Sequence, residues 1–419
     1  MNRVVFALVA ILFLLSVSSI TGLIQTVKAE GVTIYINADG SITPPASPIY
    51  TADNVTYTLT GSITAATDGI VIDRGNIILD GAGYTVTGSG NYVGITLDNI
   101  DNVTARNMTI TNFINGIVLS NSSGNTLSGN DVTANSDNGI ELSSSSNCTL
   151  SGNTVTANSG TAGIVLGASS NNNVLSGNNV SANSATEGIL LVSSSSNVLS
   201  GDNVANNSWS IYFESSSNCT LSGSTFVNNE FGIVFDSSSN CTLSGNNVTA
   251  NSDWGIELYS SSNCTLSGNN VTNNGYGIEL ENSSDNNTLS GNNITANSME
   301  GILLEFSSDN NIIFHNNFVN NTHQAYTDGS TNIWDYGNSG NYWSDYLTKY
   351  PNATQVDSSS VWNLPYIIDT NNTDHYPLMA PIVIPEFPSI QAICLFTLLT
   401  LLTVIIYKKK GAKRKILRT

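Results

Sequence analysis

Four aromatic residues recur at one place in a repeating unit. Trp209, Phe231, Trp254 and Tyr276 fall every 22–23 residues, each directly before a Gly-Ile or Ser-Ile pair. Tyr212, Asp236, Glu257, Tyr259 and Glu279 stand within a few residues of them. Were strands to bring these positions side by side, the aromatics would form a ladder flanked by carboxylates. Such a ladder can stack on the apolar faces of sugar rings while the acids hydrogen-bond ring hydroxyls. The plainer reading is corner packing, in which the rings only cover an edge of the fold.

Catalysis asks more of the same residues. A glycosidase needs two carboxyls facing each other across a bond, one of them kept protonated. Outward acids do recur (Glu141, Glu214, Asp236, Glu257, Glu279, Glu281 and Glu305), but they come from one repetitive strand slot and read as a solvated acidic face. Asp73 and Asp80 read as part of the first coil and not as a catalytic pair. A β-eliminating lyase needs a base and cationic help, usually calcium. The repeat body offers only Arg74 and Arg106, with no lysine. No catalytic residue, metal ligand set or cofactor is therefore expected, although divalent ions such as calcium can bridge surface carboxylates.

The elements that must position these groups are repeats. Gly-Ile heads stand at Gly69, Gly94, Gly116, Gly139, Gly163, Gly188, Gly232, Gly255, Gly277 and Gly301, with Ser210-Ile211 as a degenerate member. Each is followed by a serine run, Asn-x-Thr-Leu-Ser-Gly-Asn-x-Val and a polar turn. A period of 22–25 residues marks a solenoid. Apolar positions alternate as in strands (Ile140 and Leu142, then Leu150, then Val155), and Gly, Asn and Ser separate them. One unit cannot bury its own few aliphatic side chains, so like residues must stack from coil to coil. Leucine-rich repeats share such periods, but they need a helical segment per repeat that these turns do not offer. The expectation is an all-β, single-stranded parallel β-helix of ten or eleven coils, roughly 50 Å long.

Alternation from Leu150 turns Cys148 inward, and the same slot holds Asn125, Asn173, Asn197, Cys219, Cys241, Cys264, Asn287 and Asn311. This reads as an internal ladder whose amides hydrogen-bond to one another along the stack. The cysteines substitute as small buried thiols. In-register parallel geometry would strain a disulfide between them, and a thiolate column holding a soft metal is the sharper alternative.

The chain ends carry targeting signals. Residues 1–29 read as a signal peptide: Arg3, an apolar run from Val4 to Leu15, and Val27-Lys28-Ala29 as the cleavage site. Ser389–Tyr407 is an uncharged apolar run of bilayer-spanning length, followed by seven basic residues that stay cytoplasmic. The exported part then sets 31 acidic residues against Arg74, Arg106 and Lys349, a charge near −28 that repels nucleic acid. Sequons recur throughout, among them Asn54, Asn102, Asn147, Asn179, Asn218, Asn240, Asn263, Asn320 and Asn371. In an exported chain these are glycosylation candidates, although so much Asn, Ser and Thr creates sequons by chance.

Several segments together resemble a known group. Ile77-Ile78-Leu79-Asp80-Gly81 opens the coils, and His315-Asn316-Asn317-Phe318 leads into the coda. The coda carries Gly340-Asn341-Tyr342-Trp343-Ser344-Asp345-Tyr346 and Tyr376-Pro377-Leu378-Met379. These resemble the NosD-like right-handed β-helix proteins of archaeal cell surfaces. The resemblance implies right-handed PbH1 coils and brings an association with copper. His315, His323, His375, Met108, Met299 and Met379 include no close pair in one repeat, so copper is not expected. Relatives often carry an acidic loop where this chain has Leu347–Leu364 without that motif. Pro385, Glu386 and Phe387, followed by the apolar span and basic tail, resemble PEF-type sorting signals processed by archaeosortases. Either a permanent single-pass anchor or cleavage and lipid attachment follows from that reading.

The expected organisation is a signal peptide (1–29), an N-terminal cap (30–66), β-helix repeats (67–325), a C-terminal cap and linker (326–384), and the sorting motif, transmembrane helix and basic tail (385–419). The expected role is a membrane-anchored, glycosylated, non-catalytic surface rod with an adhesive or glycan-binding face. A polysaccharide lyase or glycoside hydrolase is the alternative, and a copper-associated surface protein the third reading.

Overall fold

The computed structural model describes residues 31–183 and 187–384. The expected signal peptide (1–29), the residues Pro385, Glu386 and Phe387, and the apolar run after them lie outside the described residues. Among those described, no helix is long and apolar enough to cross a membrane.

The chain winds as a right-handed β-solenoid of about 12 turns. Three sheets of 14, 13 and 13 strands run its length. The first holds the Gly-Ile strands, such as Trp254–Tyr259. The second holds the Thr-Leu-Ser strands, such as Thr265–Ser267, and the third the Asn-x-Val-Thr strands, such as Asn270–Thr272. Each strand pairs in parallel with its counterpart one coil away: Ile233 lies beside Ile256, which lies beside Ile278. The expected ten or eleven coils fall short because two segments without a Gly-Ile head also join the stack. Ile34 pairs with Ile70 at one end, and Phe318 with Trp343 at the other.

The interior consists of columns of like residues. Isoleucine fills one column without interruption from Ile34 to Ile302, each member essentially buried. Where the neighbouring leucine column changes to Phe213 and Phe235, the rings stack at 4.3 Å and 7°. At roughly 25 cal/mol per Å² of apolar surface, each buried Ile or Leu contributes about 2 kcal/mol, but only when the next coil is present to cover it.

Polar ladders close the corners. In the slot shared by Asn and Cys, the side chain mostly satisfies backbone and not another amide, which corrects the expected pattern. Cys148 N and Asn173 N donate to Asn173 Oδ1 (2.7 Å) and Asn197 Oδ1 (2.8 Å). Asn287 Nδ2 returns to the Ser261 carbonyl at 3.1 Å. Cysteine performs the same task with sulfur: Cys219 N donates to Cys241 Sγ and Cys241 N to Cys264 Sγ, both at 3.4 Å. All four described cysteines are buried free thiols. Amide-to-amide ladders do exist, in two slots the sequence reading passed over. Asn153 Nδ2 donates to Asn178 Oδ1 and Asn158 Nδ2 to Asn183 Oδ1, both at 3.0 Å, and each amide also reaches a main-chain carbonyl. A serine ladder adds a fourth column, with Ser238 N donating to Ser261 Oγ at 2.9 Å. Each such bond contributes about 1 kcal/mol, and an unpaired buried group costs about 1–3 kcal/mol.

The glycine of each head has a packing reason. A Cβ on Gly255 would lie 2.7 Å from both the Gly277 carbonyl oxygen and Val271, so a side chain there forces its neighbours to shift. Ser210 survives in this column because its hydroxyl donates to the Gly232 carbonyl. At the far end aromatic rings cover the last coil: Phe318, Trp343 and Tyr366 stack at 4.5 and 4.1 Å.

We expect Gly255→Ala to lower stability by about 1–3 kcal/mol through overpacking. Gly255→Ser should lose less, because its hydroxyl can make the bond that Ser210 makes. Urea midpoints of the two variants check this; equal loss would show that the carbonyl contact is not what selects glycine.

Candidate functional site

The aromatic and acidic residues meet on the outer face of the first sheet. In its strands the head residue and the isoleucine after it are both buried, which breaks the alternation and leaves the preceding aromatic on the outer face with the positions that follow. Parallel register then lines them up. Trp209 lies beside Phe231, and Trp254 beside Tyr276. Ring centroids are 4.4 Å apart for Trp209–Phe231 and 5.1 Å for Phe231–Trp254, and Trp209 also touches Tyr212 at 5.0 Å. All four ladder residues are half-buried, each leaving part of a ring open to solvent.

Next to this ladder runs a column Leu190–Tyr212–Val234–Glu257–Glu279–Leu303. Beyond it runs a second wall of Glu214, Asp236, Tyr259 and Glu281. The result is a shallow trough along the rod axis, aromatic on one side and acidic on the other. Tyr212 donates from its hydroxyl to Asp236 Oδ2 at 2.9 Å, pinning floor to wall. Tyr259 is exposed.

The trough floor corrects the solvated-face reading. Glu257 and Glu279 point outward but are only 5% and 4% exposed, because the walls shield them. Glu279 Oε2 is buried with no hydrogen-bond partner. Burial first, and then the surrounding carboxylates, push both acids up to about 8. Glu281 and Asp236 act on Glu257, and Glu257 and Glu281 on Glu279. Glu187, which precedes Trp209 in the ladder column, is raised to about 7, mainly by burial. Sequence periodicity places all these residues on one face but carries no sign of how deeply the walls cover the floor.

The sequons sit at the surface: eight of the nine are exposed and Asn179 is half-buried. Seven have a positive φ, including Asn147, Asn218, Asn240 and Asn263 at 57–59°. Asparagine tolerates that left-handed turn better than most residues, so the repeat has a backbone reason to place Asn there.

A family model described as a periplasmic copper-binding protein, NosD, matches residues 185–348, and one described as a right-handed β-helix region matches residues 49–205. The chain is a right-handed β-helix, and its residues 185–348 are similar to the NosD family. No curated protein matches it. Among solved structures, the Dettilon tailspike protein aligns with a TM-score of 0.49 and 15% identity over 65% of this chain, which spans 61% of the tailspike's length. A mutant of the periplasmic alginate epimerase AlgG gives 0.45 and 15%, covering 67% of this chain and 77% of its own. PfbA, a surface adhesin of Streptococcus pneumoniae, gives 0.45 and 13%, covering 64% and 85%.

The copper in the NosD description finds no cluster of histidines or thiolates among the described residues. Copper favours His, Met and thiolate ligands. His323 lies against Glu300 and His375 against Asp335, at 3.1 and 2.9 Å, while His315 contacts Ser339. Met108 is buried in the core, far along the chain from these. Among the described residues no group of three or more His, Cys, Asp or Glu is placed to hold a metal ion.

The raised acids set the pH response. Glu257 and Glu279 bind protons more readily folded than unfolded. Their stabilisation is fully present below about 4.5 and is lost as pH rises through about 8. Asp202 replaces an asparagine in an internal ladder and is raised to about 6 by burial, so its contribution is lost between 3.8 and about 6. The rod should therefore melt at a lower temperature at pH 9 than at pH 5. Glu257→Gln combined with Glu279→Gln should remove most of the fall above pH 6, and Asp202→Asn should raise stability at pH 7 by roughly 1–3 kcal/mol. A melting temperature that rises from pH 5 to pH 9 would contradict the assignment.

Proposed function

We propose that this chain is an exported, membrane-anchored and glycosylated surface rod whose aromatic trough binds glycans without chemical turnover. The observation that carries the reading is the trough itself: Trp209, Phe231, Trp254 and Tyr276 in one line, each half-open, beside Asp236, Tyr259 and Glu281. A row of rings at coil spacing suits an extended chain of flat-faced units, and the acids supply hydrogen-bond acceptors for hydroxyls. Two apolar segments, one at each end of the sequence, and the basic tail support export and anchoring, whether the C-terminal helix is kept or exchanged for lipid after the Pro385-Glu386-Phe387 motif.

The acids also bear on the enzymatic alternative. Glycosidic hydrolysis separates two carboxyls by environment, one protonated and the other ionised. Glu257 and Glu279 are instead raised together to about 8, so at neutral pH neither serves as base or nucleophile. That symmetry supports holding a ligand over cleaving it.

The test is retention on immobilised polysaccharides. Trp209→Ala together with Trp254→Ala should weaken binding at least tenfold, about 1.4 kcal/mol, with the far-ultraviolet circular dichroism unchanged because both rings are half-exposed. Unaltered retention would remove the trough as the binding face. Release of reducing ends or unsaturated products from the same polysaccharides would overturn the non-catalytic part.

A further inference from the structure

The trough floor is electrostatically unfinished. Buried carboxyls ordinarily find a cation or a set of donors, yet Glu279 Oε2 has no partner although Glu279 is 4% exposed. The charged groups acting on the Glu257–Glu279 pair are Asp236, Asp253, Glu281 and Glu305, all acids. No lysine or arginine occurs between Arg106 and Lys349, and Arg106 is already paired with Asp80 at 2.9 Å. The aromatic faces of Trp254 and Tyr276 flank these same two coils.

A floor of unpaired carboxyls beside open rings matches an organic cation. An ammonium group displaces the proton that the floor acids hold near neutrality, donates hydrogen bonds to the carboxylate so formed, and is attracted to the aromatic faces. A calcium ion would require several oxygens converging at about 2.3–2.6 Å, and no described group of three acids is placed to supply them. The trough continues across successive coils, so the fitting ligand is a linear polymer carrying repeated ammonium groups on flat rings. We propose that this site selects an amino-sugar polymer with free, non-acetylated amines. This rests on the glycan-binding reading and adds the substrate class to it.

The experiment measures binding of the full-length protein in detergent to three hexamers: glucosamine with free amines, N-acetylglucosamine and galacturonate. The expected order is glucosamine at least tenfold tighter than its acetylated form, with galacturonate excluded by the acid field. Glu257→Gln with Glu279→Gln should abolish that preference while the fold, followed by melting temperature, is retained. Glu141→Gln, which lies in the same outward column outside the aromatic stretch, should leave the preference intact. Equal affinity for the free-amine and acetylated hexamers, or a double variant that keeps the preference, would overturn the ammonium assignment while leaving glycan binding standing. Failure to bind any of the three would overturn both.

Discussion

The close approach of consecutive coils is the constraint on which the rest of the molecule depends. Parallel strands lie at about 4.8 Å, so every residue sits directly over its counterpart one turn away. Whatever chemistry a position has is therefore multiplied along the rod. An apolar position becomes a core column, as from Ile34 to Ile302. An amide becomes a ladder in which Asn153 and Asn178 satisfy each other and the backbone. A head position becomes a column in which only glycine fits, or a serine whose hydroxyl bonds the carbonyl it would otherwise strike.

The same multiplication makes the surface. Four aromatic residues with no special context in their own coils become a continuous wall, because register brings Trp209, Phe231 and Trp254 into ring contact. Two glutamates at the same slot of adjacent coils become a like-charged pair that burial and mutual repulsion hold protonated near neutrality. In an isolated strand either acid would be ordinary. Where one member of a column changes type, the departure stands out. Asp202 accepts from Asn178 as an asparagine would, but its second oxygen is left without a partner. Cysteine in the Cys219–Cys264 column replaces an amide with less disturbance, because Cys241 Sγ both accepts from the Cys219 N–H and lies against the Ser216 carbonyl.

Much of this was legible in the sequence, and the limits are instructive. The period, the alternation of Ile140 and Leu142, and the inward slot of Cys148 were readable because each is a local property repeated many times. The ladders at Asn153 and Asn158 were not singled out, since asparagine there looks like ordinary turn composition until the coil closes and buries it. The extra coils at the two ends were missed because their stacking residues, Ile34 and Trp343, follow no Gly-Ile head.

What the sequence determined by itself is the winding: a fixed period of short alternating segments has no other way to bury its aliphatic side chains. It also determined the composition of the exposed face, with its aromatic and acidic slots and its lack of basic residues. Tertiary structure alone decided which outward groups are actually in water. Depth depends on the walls to either side and on neighbours one coil above and below, the latter more than twenty residues away in the chain. That is why Glu257 and Glu279, indistinguishable in sequence from solvated acids, form the buried floor of a trough.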